Sequence, residues 1–379
     1  MFLINVFIPE VLPVMNGSQK SGKIRFLLAL ILLLLLAVVL ITAGPAPISF
    51  RETLTILCGG VMQKSGQILA GIPGAEILRE HGQTLLGQSP ANHEAIILNV
   101  RLPRVILGIL VGMSLAVAGG CFQALLRNPM ADPYVIGVSS GASFGAALAI
   151  VLNLQLMFLG ANWAVTIFAF CGALAAIVAV YRIAAVNGHI PVATLLLAGI
   201  AVAAFLSSCV SFLMVMGGKD LHGIVFWIMG SLASYNWSYI KVLLPLVIAG
   251  GGIIFWHARS LNVMVLGEET AKCLGLDVDR VKKILFASCS LVVAAAVSVS
   301  GVIGFVGLII PHVVRLCVGP DHRVLLPASA LSGALFLVLC DTLARTVLAP
   351  VEIPVGMVTS LMGAPFFIFL LVRRKNQLF

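Results

Sequence analysis

Charged and nucleophilic side chains are scarce in this sequence, so the few with recognisable spacing can be weighed one by one. Ser139 lies in Gly137-Val-Ser-Ser-Gly141, which satisfies the letters G-x-S-x-G of a hydrolase nucleophile elbow. An elbow needs a strand before the serine and a triad around it, with His312 the partner such a site would require. Gly137, Gly141 and Gly145 instead recur at every fourth residue, the small-xxx-small spacing that lets helices pack closely inside a membrane. Ser139 and Ser140 are therefore read as polar residues beside a helix-packing ridge. No GxxxxGK[ST] loop and no HExxH occur, so neither a nucleotide loop of that kind nor a zincin site is expected. The eight cysteines, Cys58, Cys121, Cys171, Cys209, Cys273, Cys289, Cys317 and Cys340, show no CxxC and no ligand-like spacing to histidine; they read as packing residues. No catalytic residue, metal site or cofactor is expected in this chain.

Charges form three groups. Asp341 and Arg345 stand at i, i+4, where a pair in apolar surroundings costs less than a lone charge. Arg345 joins Arg101 and Arg104 near one set of span ends, and the three are expected to present a basic ring outward. Between Ser260 and Lys283 lies a polar stretch in which Gly267-Glu-Glu-Thr-Ala-Lys-Cys-Leu-Gly275 reads as a short helix. Glu268 and Glu269 favour its positive N-terminal end, and Gly275 suits a left-handed C-terminal position before a second helix opens near Asp277. Helix, glycine, helix across one face is the form of a docking surface for another subunit. Arg127-Asn-Pro-Met-Ala-Asp-Pro133 reads as a turn, with Asn128 and Asp132 able to cap the next helix.

The elements that must position these residues can be read from composition. Sixty per cent of the 379 residues are hydrophobic, 10% are charged and mean hydropathy is +1.13, a balance no water-soluble domain could cover with polar surface. The chain is thus expected to be an all-α integral membrane protein whose solvent is the lipid bilayer. With about 20 apolar residues per crossing, spans are read at 26–43, 103–126, 134–159, 163–186, 192–217, 238–257, 284–302, 305–318, 324–349 and 354–372. This leaves a cytoplasmic leader over 1–25, an external segment over 44–100, and a core over 101–375 with a cytoplasmic segment at 260–283. The block at 26–43 comes after basic residues as a secretory signal would, but it is longer than the usual signal core, so an uncleaved span is expected. The 305–318 block, with Pro311, His312 and Arg315, is short enough to be a broken or tilted helix beside a pathway. Arg127, Arg182, Arg259, Lys272, Lys282 and Arg323 fall on connections of one side, which the positive-inside rule puts in the cytoplasm together with both termini. That bias accounts for the formal charge of +9, and no basic face interleaved with aromatics points to nucleic acid. An ion-coupled secondary transporter is the competing reading. It would need ionisable residues at mid-membrane, where Asp341 is the main candidate.

Taken in order, several segments resemble the FecCD family of ATP-binding-cassette (ABC) importer permeases. They are Arg101-Leu-Pro-Arg104, Gln123 through Pro133 and then Gly137-Val-Ser-Ser-Gly141, Leu195-Leu-Leu-Ala-Gly199, Gly304 through Arg315, Asp321 through Pro327, and Ile353-Pro-Val-Gly356 through Gly363-Ala-Pro365. The resemblance covers about residues 95–375. It implies a type II importer fold of ten helices in a bacterial or archaeal cytoplasmic membrane, and import of an iron–siderophore, haem or a corrinoid such as vitamin B12. It also implies a homodimer with its pathway on the two-fold axis, two cytoplasmic ATPase subunits and an external substrate-binding protein. By position, Glu268, Glu269, Ala271, Leu274 and Gly275 would form the coupling helix seated in the ATPase, and Arg101, Arg104 and Arg345 would meet acidic residues of the binding protein. Val192 and Ala193 would stand at the cytoplasmic gate, where vitamin B12 permeases of the family have small hydroxyl residues, with Ser139, Ser140 and Pro311 along the pathway. The 44–100 segment is longer than in those relatives.

Overall fold

The structure is a computed structural model and describes residues 19–378, except 45, 71–74, 159–160, 186–190 and 234–236. Its first eight helices are α1 (Gln19–Thr42), α2 (Phe50–Ile68), α3 (Ala75–Leu86), α4 (Ala91–Ala95), α5 (Leu102–Leu125), α6 (Val138–Val151), α7 (Ala164–Ala184) and α8 (Val192–Gly217). The remainder are α9 (Leu221–Ile228), α10 (Trp237–Trp256), α11 (Ala258–Val265), α12 (Glu268–Cys273), α13 (Val278–Ser300), α14 (Val306–Val318), α15 (His322–Thr346) and α16 (Val355–Leu378). A π-helical turn, Ile96–Arg101, joins α4 to α5, and a 3-10 turn, Pro133–Ile136, precedes α6. The only strands among the described residues are Met157–Phe158 and Ala161–Asn162, paired antiparallel with Met157 opposite Asn162.

Among the described residues six helical stretches are long and apolar enough to cross a membrane: Ala91–Leu125, Ala164–Ala184, Val192–Ile228, Trp237–Trp256, Val278–Ser300 and His322–Thr346. Four shorter apolar helices accompany them: Leu30–Thr42, Val138–Val151, Val306–Val318 and Val355–Phe369. Each apolar block of the sequence thus falls on a helix. The bundle is wrapped around α5, which packs against α15, α13, α14 and α10. The α5–α15 crossing is set by Gly112 and Gly333, where a Cβ on either would strike the carbonyl oxygen of the other. Close backbone approach through small residues substitutes for the hydrophobic drive that lipid removes.

Three elements differ from the sequence reading. The 134–159 block is helical only over α6, because Pro133 opens a separate 3-10 turn, Gly137 turns left-handed at φ 81°, and Asn153 does so at φ 49°. The expected break at Pro311 is absent: α14 runs through it, and the irregular backbone lies before the helix, where Gly301 and Phe305 have φ 67° and 70°. The 44–100 segment carries the helical hairpin α2–α3, whose helices meet at glycines; a Cβ on Gly82 would strike the Gly59 carbonyl and the Gln63 nitrogen. Lys64 stands 4.7 Å over the Trp237 ring, and the Trp237 indole donates to the Leu98 carbonyl at 3.1 Å, tying the hairpin to the start of α10. Of the leader 1–25, residues 1–18 lie outside the described residues, and 19–25 belong to α1.

Candidate functional site

At one end of the bundle α11, α12 and α13 are joined by short turns. Gly267, at φ 122°, separates α11 from α12. The Asp277 carboxylate accepts from the Arg280 N–H at 3.1 Å and so opens α13 where the sequence placed a second helix. Gly275 takes the left-handed position at φ 81°, its N–H donating to the Lys272 carbonyl at 2.9 Å while the Leu276 N–H donates to that of Ala271 at 3.0 Å. These two bonds satisfy carbonyls that a helix end would otherwise leave unpaired. Glu268 accepts from Lys282 Nζ at 2.6 Å and lies 3.5 Å from Arg127 Nη2, which ties α12 to α13 and to the turn after α5. Ala271 is fully buried, so it anchors the helix and offers nothing to a partner, contrary to its expected role. Glu269, Leu274 and Gly275 remain exposed on a helix held from beneath.

The opposite end corrects the expected basic ring. Arg101, Arg104 and Arg345 are only 3%, 4% and 3% exposed. Arg101 donates to the carbonyls of Ile41 (3.1 Å), Thr42 (2.8 Å) and Ala46 (2.6 Å), placing its charge at the negative C-terminal end of α1. Arg104 grips Asp341 with Nε and Nη2 at 2.9–3.1 Å and reaches Glu352 with Nη1 at 2.8 Å. Arg345 donates to the Leu40 carbonyl at 2.7 Å and stands 3.7 Å from the Asp341 carboxylate, so the i, i+4 pair is the weaker contact of that acid. Three cations, Asp341 and the end of α1 thus form one buried cluster, with the exposed Glu352 closing it from the solvent side. A guanidinium this deep needs its partners inside the chain, since an unpaired buried charge is strongly destabilising, and so these side chains do not face a docking protein. Glu352 escaped the sequence reading because nothing local connects it to Arg104.

The residues expected at a gate or along a pathway lie on three helices, α8, α6 and α14. Val192 opens α8 and lines a small space of about 30 Å³ with Phe122, Leu126, Lys282 and Phe286, whereas Ala193 is exposed. Ser139 and Ser140 are half-buried at the start of α6. A 3-10 turn, not a strand, leads to them, which removes the nucleophile elbow. Gly141 and Gly145 form the α6 ridge against α7, where Cβ atoms would strike the carbonyls of Gly172 and Phe168; Gly137 precedes the helix and lies outside the ridge. Pro311 is buried within α14 against Gly120 of α5. No group of His, Cys, Asp and Glu able to hold a metal ion occurs among the described residues, and all eight cysteines are free thiols.

Residues 29–373 match the model of the FecCD transport family. The chain belongs to that family. It is 45% identical over 355 residues to the cobalamin import system permease protein BtuC of Halobacterium salinarum, covering 90% of this chain and 94% of the relative. It is 44% identical over 281 residues to the hemin transport system permease protein HmuU of Yersinia pestis, covering 74% and 84%. Among solved structures, a metal-chelate type ABC transporter in an inward-facing conformation superposes with a TM-score of 0.68 at 32% identity, covering 86% of this chain and 98% of that one. For a FecCD permease, the helix with most surface to spare is α8. Leu197, Ala201, Ala204, Ser208, Ser211 and Val215, spaced three or four apart, fall on one exposed face.

Proposed function

We propose that this chain is the membrane-spanning subunit of an ABC importer for a metal chelate of the iron–siderophore, haem or corrinoid class. It works as a homodimer with two ATPase subunits on the α12 side and an external binding protein on the α2–α3 side. The observation that carries this reading is α12, a short helix fixed through Glu268 and Ala271 that offers Glu269 and Leu274 to a partner, in a family member whose sequence holds no P-loop. Arg127, Arg259, Lys272, Lys282 and Arg323 lie in or beside the short helices and helix starts of that end, a bias that by the positive-inside rule supports a cytoplasmic α12 side, where we also place both termini. Motion of the ATPases against α12 would pass through Lys282 to α13 and through Arg127 to α5. The ion-coupled alternative loses its residue, because Asp341 is committed to Arg104. Relatives named for cobalamin and hemin are 45% and 44% identical over 355 and 281 residues, so both chelates belong in the first assay. In vesicles holding the chain with its ATPase and binding protein, ATP should drive uptake of radiolabelled cyanocobalamin, haemin or a ferric siderophore. Uptake by the chain alone, driven by a proton or sodium gradient, would overturn the reading.

A further inference from the structure

On the α12 side, a cleft of about 810 Å³ opens between the end of α10, α11 and the start of α15, lined by Phe255, Trp256, Arg259, Ser260, Arg323 and Pro327. We infer that it holds the headgroup of an anionic phospholipid of the cytoplasmic leaflet. This assignment rests on the membrane orientation given under the proposed function.

The chemistry is complementary. Arg259 and Arg323 come from different helices, both exposed, and neither guanidinium has an ion-pair or hydrogen-bond partner among the described residues. Asp321 lies within electrostatic reach of Arg323 without forming an ion pair with it; its Oδ1 accepts from the Arg323 N–H at 2.9 Å and from Asn262 Nδ2 at 2.6 Å. Asn262 also accepts from the His322 N–H at 2.9 Å, so the start of α15 is braced to α11 and the two arginines rise from helices fixed to each other. Two guanidiniums on a rigid brace can each grip a phosphate oxygen pair in the fork geometry that lysine lacks. Ser260 adds a hydroxyl. Around this polar floor the surface is apolar and open, with Trp256 86% exposed and Ile253, Phe255 and Val324 also exposed. Tryptophan at the end of a span is the usual anchor at headgroup depth, and the apolar flanks run toward the hydrocarbon, where acyl chains would lie. Basic clefts between spans on the cytoplasmic side are suited to anionic headgroups. A soluble anion would use the arginines but leave Trp256, Ile253 and Val324 uncovered.

The test is lipid retention by the full chain purified with its partner subunits, read by native mass spectrometry after exchange into mixed phosphatidylglycerol and phosphatidylcholine. The wild type should retain phosphatidylglycerol preferentially. Arg259→Gln or Arg323→Gln should each weaken that retention about fivefold, and both together about 25-fold, with melting temperature unchanged. Arg182→Gln, on α7 at the same side, should leave retention as it was. Equal loss in the Arg182 control, no lipid preference in the wild type, or unchanged retention in the double variant would overturn the site. So would binding of inorganic phosphate or glycerophosphate as tight as that of the lipid, which would make it a free-anion site. Loss of ATPase association with lipid retention intact would assign the arginines to the partner instead. Failed transport with normal retention would sink the import reading and leave the lipid site standing.

Discussion

Arg104 illustrates how a motif can be found in sequence while its surroundings are not. Its spacing from Arg101 resembles a family feature, but its two acids lie 237 and 248 positions away, beyond any local pattern. Only the packing of α15 beside α5 through Gly112 and Gly333 brings Asp341 within reach. The same limit hid the α1 carbonyls that Arg101 satisfies. At Gly275 and Asp277, by contrast, the chemistry is local, and the left-handed glycine and the opening of the next helix were legible directly. Asp341 separates the competing functions. Asp341→Asn preserves the shape but leaves Arg104 with Glu352 as its one carboxylate, and breaking one side of a buried pair costs about 3–5 kcal/mol. The expected outcome is a lower melting temperature in detergent, with ATP-driven uptake per folded molecule retained. Abolished transport at an unchanged melting temperature would return Asp341 to ion coupling.

Among the elements, hydropathy located the long apolar helices but missed the short α9 and did not tell where each one stops. Lengths are decided by backbone punctuation: Gly137 and Asn153 shorten α6, whereas the helix opening read near Asp277 and the span read from 284 prove to be one continuous helix, α13. The α2–α3 hairpin was missed because its helices meet through Gly59, Gly66 and Gly82 and lack a broad apolar stripe. The short α12 was legible because each end carries its own chemical signal. Its function is therefore open to a single change. Gly275→Val puts a β-branched residue at φ 81°, a strain of roughly 1–2 kcal/mol, too small to unfold a bundle whose core is elsewhere. No neighbour lies within 4 Å of a Cβ there, so the side chain would project outward where an ATPase is proposed to sit. ATP hydrolysis by the assembled complex should persist while uptake falls by an order of magnitude or more. Equal loss of both activities, or of neither, would remove α12 as the coupling element.

For the whole molecule, burial inside one chain shows which helix has surface free for the second copy proposed above. The apolar stretch of α5 is 83% buried and that of α8 only 22%. A helix facing lipid on that much of its surface has no need of Ala201, Ala204, Ser208 and Ser211 in a row, because small residues repay only a close-packed neighbour. The serine hydroxyls are already satisfied, Ser208 donating to the Ala204 carbonyl at 3.0 Å and Ser211 to that of Ser207 at 3.1 Å. They can therefore face a partner helix or a water-filled pathway without cost in unpaired groups. If α8 forms the two-fold interface of the proposed homodimer, Ala204→Trp should convert the detergent-purified dimer to monomer and abolish uptake. Val178→Trp, on the exposed face of α7, should do neither. A dimer that survives Ala204→Trp with transport intact would place α8 against lipid and move the pathway to another helix.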